Sequence, residues 1–196
     1  MFTRKSGKMR KKFFSIVLII LPFCFIGCTK SNSDINQYLN SSEVIDNFAK
    51  SFMPSIEELP ENKSIEYRYT SNSIIISQSD SIALVVSYDD STYKKEKEKL
   101  KEHYTYLDKP VYDNDIDNFL IPEHEFKVNS YNFKVASGNE SYTADYPKSF
   151  GMIGTSDEKK SIAYLYFYDS DLDYISKKDN GTSMLEFVKE HFDYDF

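Results

Sequence analysis

Ser81–Asp89 reads SIALVVSYD and Ser161–Asp169 reads SIAYLYFYD. The two stretches share Ser, Ile, Ala, Tyr and Asp at an offset of 80 positions. Each is a run of β-branched and aromatic residues of strand length. Further on, Glu98–Tyr106 (EKLKEHYTY) matches Glu186–Tyr194 (EFVKEHFDY) at an offset of 88, with an aromatic residue after each His. The order of these matches predicts a strand-turn-strand-helix unit used twice, over about 64–107 and 146–196, with biased composition as the alternative source of the likeness. Such a unit lays its helix on the sheet it has just joined. The expected fold is therefore α+β, an antiparallel sheet with helices mainly on one face. The larger offset of the helices implies an insertion in the second copy, within Ser170–Thr182 (SDLDYISKKDNGT).

The flanking residues extend this pattern. Ile65, Tyr67 and Tyr69 alternate with Glu66 and Arg68, the period of a half-buried strand. Ile74–Ile76 and Ile82–Val86 on either side of SQSD predict a hairpin. Asp90–Tyr106 is highly charged, with Tyr93, Leu100 and Tyr104 at near-helical spacing, and predicts a solvated helix docked by one narrow face. Residues 108–122 carry Pro110, Asp113, Asn114, Asp117 and Pro122 and are expected to form a connecting loop. Two further strand pairs are expected, Phe126–Val128 with Tyr131–Val135 and Met152-Ile153 with Ile162–Tyr168. Ser183 followed by Glu186 is a capping box opening a helix with Met184, Leu185, Phe187, Val188 and Phe192 on its apolar face. Upstream, Ser42 is placed to cap a helix with Val44, Ile45, Phe48 and Phe52, ended by Pro54.

The chain has 24 Lys+Arg and 31 Asp+Glu. Residues 1–27 hold six of the cations and no acid, which leaves 18 cations against 31 acids and a charge of −13 on the remainder. Phosphate binding needs a cationic surface, so this balance argues against a nucleic-acid partner. The 16 Tyr and 15 Phe supply enough apolar ring surface for a core, and residues 42–196 are expected to form one α+β domain.

Arg4–Lys12 is a basic segment, Phe13–Ile26 (FFSIVLIILPFCFI) is apolar, and Gly27-Cys28 follow. As a helix the apolar run would reach about 21 Å, short of the ~30 Å hydrocarbon core of a bilayer. It therefore has the layout of a signal peptide. Its end, Phe25-Ile26-Gly27-Cys28, resembles the bacterial lipoprotein leader, with Phe25 where that family usually has Leu. The resemblance implies cleavage of residues 1–27 and a diacylglycerol on the Cys28 thiol. It also implies a domain lipid-anchored at the extracytoplasmic face of the cell membrane, the direction set by the basic residues staying inside. Residues 29–41 (TKSNSDINQYLNS) are polar and are expected to act with Cys28 as a flexible linker. No Cys follows Cys28, which excludes disulfides and cysteine nucleophiles in the body.

Three groups are candidate sites. Asp169, Asp171 and Asp173 have the alternate spacing of a calcium loop, but Tyr174 stands where that loop needs Gly and Asn180 where it needs a bidentate Glu. Turn formation is the competing explanation. Asp113, Asp115 and Asp117 depart from the pattern in the same way. Tyr164, Tyr166 and Tyr168 share one strand face and offer a stacking platform for a glycan or a protein side chain, or else an ordinary floor under a helix. His103 and His191 sit at equivalent helix ends, where the negative terminus of the helix favours imidazolium. His124 has no partner at ligand spacing. The expected function is a binding or interaction protein of the bacterial envelope whose partner is an envelope protein or glycan. A calcium-dependent protein using 169–173 is the alternative, and an envelope hydrolase with unidentified carboxylates ranks third. No phosphate loop, zinc-protease helix or nucleophile elbow is present, so the sequence leans away from an enzyme and names no cofactor beyond calcium.

Overall fold

A computed structural model describes residues 28–39, 47–74, 77–137 and 148–196. The leader, together with Ser42, Val44 and Ile45, lies outside the described residues. Among those described, no helix is long and apolar enough to cross a membrane.

The fold is α+β. Among the described residues ten strands run in chain order: β1 Cys28–Asn32, β2 Ser64–Ile74, β3 Ser77–Ser87, β4 Val111–Asp113, β5 Asn118–Ile121, β6 Glu125–Val128, β7 Tyr131–Val135, β8 Lys148–Ser156, β9 Ser161–Asp169 and β10 Ser176–Lys177. Seven of them form an antiparallel sheet in the order β1-β2-β3-β9-β8-β7-β6, and β10-β5-β4 form a second, smaller sheet. The described helices are α1 Asn47–Phe52, α2 Asp90–His103 and α3 Met184–His191.

The two matching stretches, β3 and β9, are neighbours at the centre of the large sheet. Ser81 pairs with Phe167 and Ser87 with Ser161, so the ladder is symmetric about the pair Leu84 and Tyr164. Outward from this centre the two hairpins extend in opposite directions, β2 beside β3 and β8 beside β9.

Side chains alternate across a strand, and here most of the aromatics are sorted by type, Tyr131 on the phenylalanine face and Phe52 on the tyrosine face being exceptions. One face carries Tyr38, Tyr67, Tyr69, Tyr88, Tyr93, Tyr164 and Tyr166, all buried, with Tyr104, Tyr106 and Tyr168 packed against them. The other face carries buried Phe133, Phe150, Phe167, Phe187, Phe192 and Phe196. α1 and α2 cover the tyrosine face through Ala49, Phe52, Tyr93 and Leu100. α3 covers the phenylalanine face through Met184, Phe187 and Val188, with the Phe187 ring edge-on to Phe167 at 4.8 Å. The small sheet adds Leu120 and Ile121 to that same core. Each fully buried ring contributes roughly 1.5–3 kcal/mol relative to exposure.

The placement of α3 corrects the expectation that both repeated helices lie on one face. After β3 the chain enters a helix at once, because the Asp89 side chain accepts the N–H groups of Ser91 and Thr92. After β9 the inserted Ser170–Thr182 first contributes β10 to the small sheet. Only then does Ser183 cap α3, on the opposite side of the large sheet, in the capping box with Glu186. The Glu123 carboxylate accepts the Met184 N–H at 2.8 Å and ties the start of α3 to the β5–β6 connection.

Two other expectations change. Residues 28–32, read as flexible linker, form the edge strand β1, paired with β2 from Cys28↔Ser73 to Asn32↔Tyr69. An edge strand pairs through its backbone and needs no apolar side chains, so the polar sequence carries no sign of it. Thr29 Oγ1 adds a 2.7 Å hydrogen bond to Asn72 Oδ1. Residues 108–122, read as a loop, contain the β4–β5 hairpin.

The turn between β8 and β9 clasps α2. Asp157 accepts hydrogen bonds from Tyr93 Oη at 2.7 Å and Lys97 Nζ at 2.6 Å, and Tyr88 N–H donates to Lys160 C=O at 2.9 Å.

Candidate functional site

The residues singled out in the sequence do not converge. Asp169 ends β9, and its Oδ1 accepts the Asp171 N–H at 2.7 Å, an Asx turn. Burial raises the Asp169 carboxyl above its ordinary value, and the charges of Asp171 and Asp80 push the same way against the hydrogen bond from Asp171. Among the described residues, no group of three or more His, Cys, Asp or Glu is arranged to hold a metal ion. Asp113 likewise accepts the Asp115 N–H at 2.9 Å, while Asp117 binds Lys178 at 3.0 Å. His103 and His191 lie on opposite faces of the sheet. His103 is exposed, its Nδ1 at 2.9 Å from Lys99 O. His191 is wedged against Phe167 and Phe187, and burial lowers its pKa.

The tyrosine stripe of β9 is not a surface platform. Tyr166 is 2 % exposed and Tyr164 5 %, because α1 and α2 need an apolar floor and these rings supply it. Tyr164 nevertheless reaches a cleft of about 610 Å³ between the two helices, within the ~300–1,000 Å³ usual for small-ligand pockets.

One wall of the cleft is the end of α1 and the segment after it, Phe52 to Pro60; the other is the second half of α2, Glu96 to Tyr104. Pro54 stops α1. The carbonyls at the end of α1 and just after it are then held by tyrosines: Tyr104 Oη donates to Phe52 O at 2.9 Å, and Tyr38 Oη donates to Pro54 O at 2.8 Å. The Phe52 ring lies edge-on to Tyr104 at 5.3 Å and stands directly over Gly151. A Cβ at Gly151 would sit 2.3 Å from that ring, so only glycine leaves room for the wall.

The cleft is polar at its centre. Glu96 has a side chain only 14 % exposed and accepts a 2.6 Å hydrogen bond from Lys99 Nζ. Burial raises the Tyr164 phenol well above its ordinary value, with Tyr88, Tyr104, Glu96 and Tyr106 contributing. Tyr88 is 1 % exposed, and its hydroxyl lies against Tyr164, with Glu96 as a further polar neighbour. Burial and then Glu96 raise its pKa too. A cluster of phenols beside an ion-paired carboxylate, between aromatic walls, offers both donors and acceptors to a bound molecule.

Sequence reasoning found Tyr164 but not its companions Phe52, Glu96, Lys99 and Tyr104. One signal was present: Tyr67 and Tyr69 on β2 and the Tyr stripe of β9 have matching alternation, which points them to one face. Comparison with protein-family profiles, with curated proteins and with solved structures returns no match to this chain.

Proposed function

We propose that the chain is a lipid-anchored binding protein of the bacterial envelope, held at the extracytoplasmic face of the cell membrane through Cys28 and taking its ligand in the cleft between α1 and α2. The observation that carries the binding half is the cleft itself, with an ion-paired carboxylate and buried phenols between aromatic walls. The anchoring half rests on the leader and its end at Phe25-Ile26-Gly27-Cys28.

The two halves fit one geometry. Cys28 pairs with Ser73, and Tyr164 lies at the level of Leu84 and Tyr67. From Ser73 to Tyr67 is six residues along β2, or about 20 Å. A lipid on Cys28 would hold that end of the sheet at the bilayer and leave the cleft standing clear of it.

Labelled fatty acid fed to cells producing the full-length protein should appear on the parent and not on Cys28→Ala, which should remain precursor or be released. Labelling and membrane attachment unchanged in Cys28→Ala would refute the anchor. Immobilised parent protein should retain an envelope component that Glu96→Gln does not, and equal retention by both would refute the cleft.

A further inference from the structure

We infer that the β2–β3 hairpin enters the bilayer beside the lipid on Cys28, so that the domain stands on the β1–β3 corner of its large sheet in one fixed orientation. The inference rests on Cys28 carrying that lipid.

Strand register supplies the placement. β1 begins at Cys28 itself, with no spacer between the anchor and the fold, and Cys28 pairs with Ser73. β2 runs one residue further, to Ile74, which pairs with Ser77 at the start of β3. The chain between those two partners is Ile75-Ile76. At about 3.3 Å per residue, the turn of the hairpin falls roughly 5–7 Å beyond the level of Cys28. Interfacial segments bury their apolar face to a similar depth, ~5–10 Å into the headgroup and acyl boundary.

The composition of this end of the sheet fits that position. Residues 70–79 read TSNSIIISQS and hold no charge, in a chain where 28 % of residues are charged. The segment can therefore leave water without stripping the hydration shell from an ion. A two-residue connection between paired antiparallel strands ordinarily uses Gly, Asn or Asp, which tolerate the backbone angles of a tight turn. Isoleucine serves a tight turn poorly and a hydrocarbon environment well. The polar residues flanking the run, Ser73 and Ser77, stand at the level where headgroups offer hydrogen bonds.

Charge sets which corner goes in. Lys30 is exposed two residues along β1, roughly 7 Å from the level of Cys28, where a cation meets anionic headgroups. On the other side, Asp169 pairs with Ser79 and the Ser170 N–H donates to Gln78 O, so the acidic turn after β9 lies at this same end of the sheet. An anionic bilayer repels Asp169 and Asp171. The domain accordingly leans on β1, β2 and β3 and lifts the β9 turn clear.

The test is depth-dependent fluorescence quenching of the lipidated protein in vesicles of phosphatidylethanolamine and phosphatidylglycerol. No Cys follows Cys28, whose thiol the lipid occupies, so Ile75→Cys, Ser73→Cys and Ser64→Cys each offer one thiol for an environment-sensitive probe. Ser64 is exposed at the far end of β2, paired with Ser87, about 30 Å from Ser73. Lipids spin-labelled high on the acyl chain should quench the probe at 75 several-fold more strongly than at 64, with 73 between them, and aqueous iodide should give the reverse order. If Ile75→Cys fails to fold, the comparison of the exposed positions 73 and 64 decides in the same way. Iodide reaching the hairpin and position 64 alike would overturn the inference. A probe at 75 shielded from both quenchers would overturn it too, since protein and not lipid would then cover the hairpin. The mass of the purified protein separates the two readings. Protein without diacylglycerol refutes the anchor and the inference with it, whereas lipidated protein whose hairpin stays in water refutes the insertion alone.

Discussion

Leu84 and Tyr164 occupy the same position in the two matching strands and are direct partners across the β3–β9 ladder. The pairs from Ser81↔Phe167 to Ser87↔Ser161 are mirrored about this one. Two similar strands that meet in this way at the centre of an antiparallel sheet are what a duplicated hairpin produces when its copies dock on each other. The symmetry stops at the helices, since the inserted Ser170–Thr182 carries α3 to the phenylalanine face. The tyrosine face is consequently covered by α2 and the short α1, and the gap between those two is the cleft.

Gly151→Ala should disturb both fold and cleft. The new methyl would meet the Phe52 ring, itself 2 % exposed, and the ring can move only by leaving the core. Overpacking of this kind costs about 1–3 kcal/mol. Chemical denaturation should show that loss, with weaker retention of the cleft's ligand. Parent-like stability would mean that Phe52 is not fixed against the sheet.

Ser183→Ala should cost about 1 kcal/mol by removing the N-cap of α3. Because α3 lies on the face opposite the cleft, ligand retention at temperatures well below unfolding should be unaffected. A loss of retention equal to that of Glu96→Gln would show that the two faces are not independent.

Acid should weaken the fold through His191. Burial lowers its pKa in the folded state below the ordinary value of about 6.5, so the unfolded chain binds the proton more readily. The stabilisation is complete above that value and is lost as the pH falls through it toward the folded one. The nearby Glu190 acts in the opposite sense without cancelling the shift. The melting temperature of the parent should drop more between about pH 7.5 and pH 5 than that of His191→Gln. Parallel pH profiles would place His191 outside the core.

The acidic turn at 169–171 should behave as a turn. Asn makes the same side-chain contact to a backbone N–H two residues on, so Asp169→Asn should be tolerated and Asp169→Ala should not. Millimolar calcium that raises the melting temperature of the parent, but not of Asp171→Asn, would restore the cation reading.

The central sheet was legible because β-branched and aromatic runs with period-two alternation report burial locally, and because the repeat marked which runs belong together. Ser183 and Glu186 were legible for the same local reason. β1 was not, since Thr29, Lys30, Ser31 and Asn32 join the sheet through backbone groups that every residue shares. β4 and β5 were masked by prolines and aspartates that turned out to punctuate a hairpin. The cleft was the least legible feature. Its walls come from residues 50–60 and 96–104 and its floor from Tyr164, and only the tertiary fold brings Glu96, Lys99, Phe52 and Tyr164 together.

Site-specific photo-crosslinking in living cells tests the central claim most directly. A photoreactive residue replaces Lys50, which is exposed at the rim of the cleft, or Lys189, which is exposed on α3 on the far face, in the full-length protein. An envelope component should be captured from position 50 and not from position 189. Capture from 189 alone, from both alike, or from neither would contradict the assignment of the cleft as the binding site.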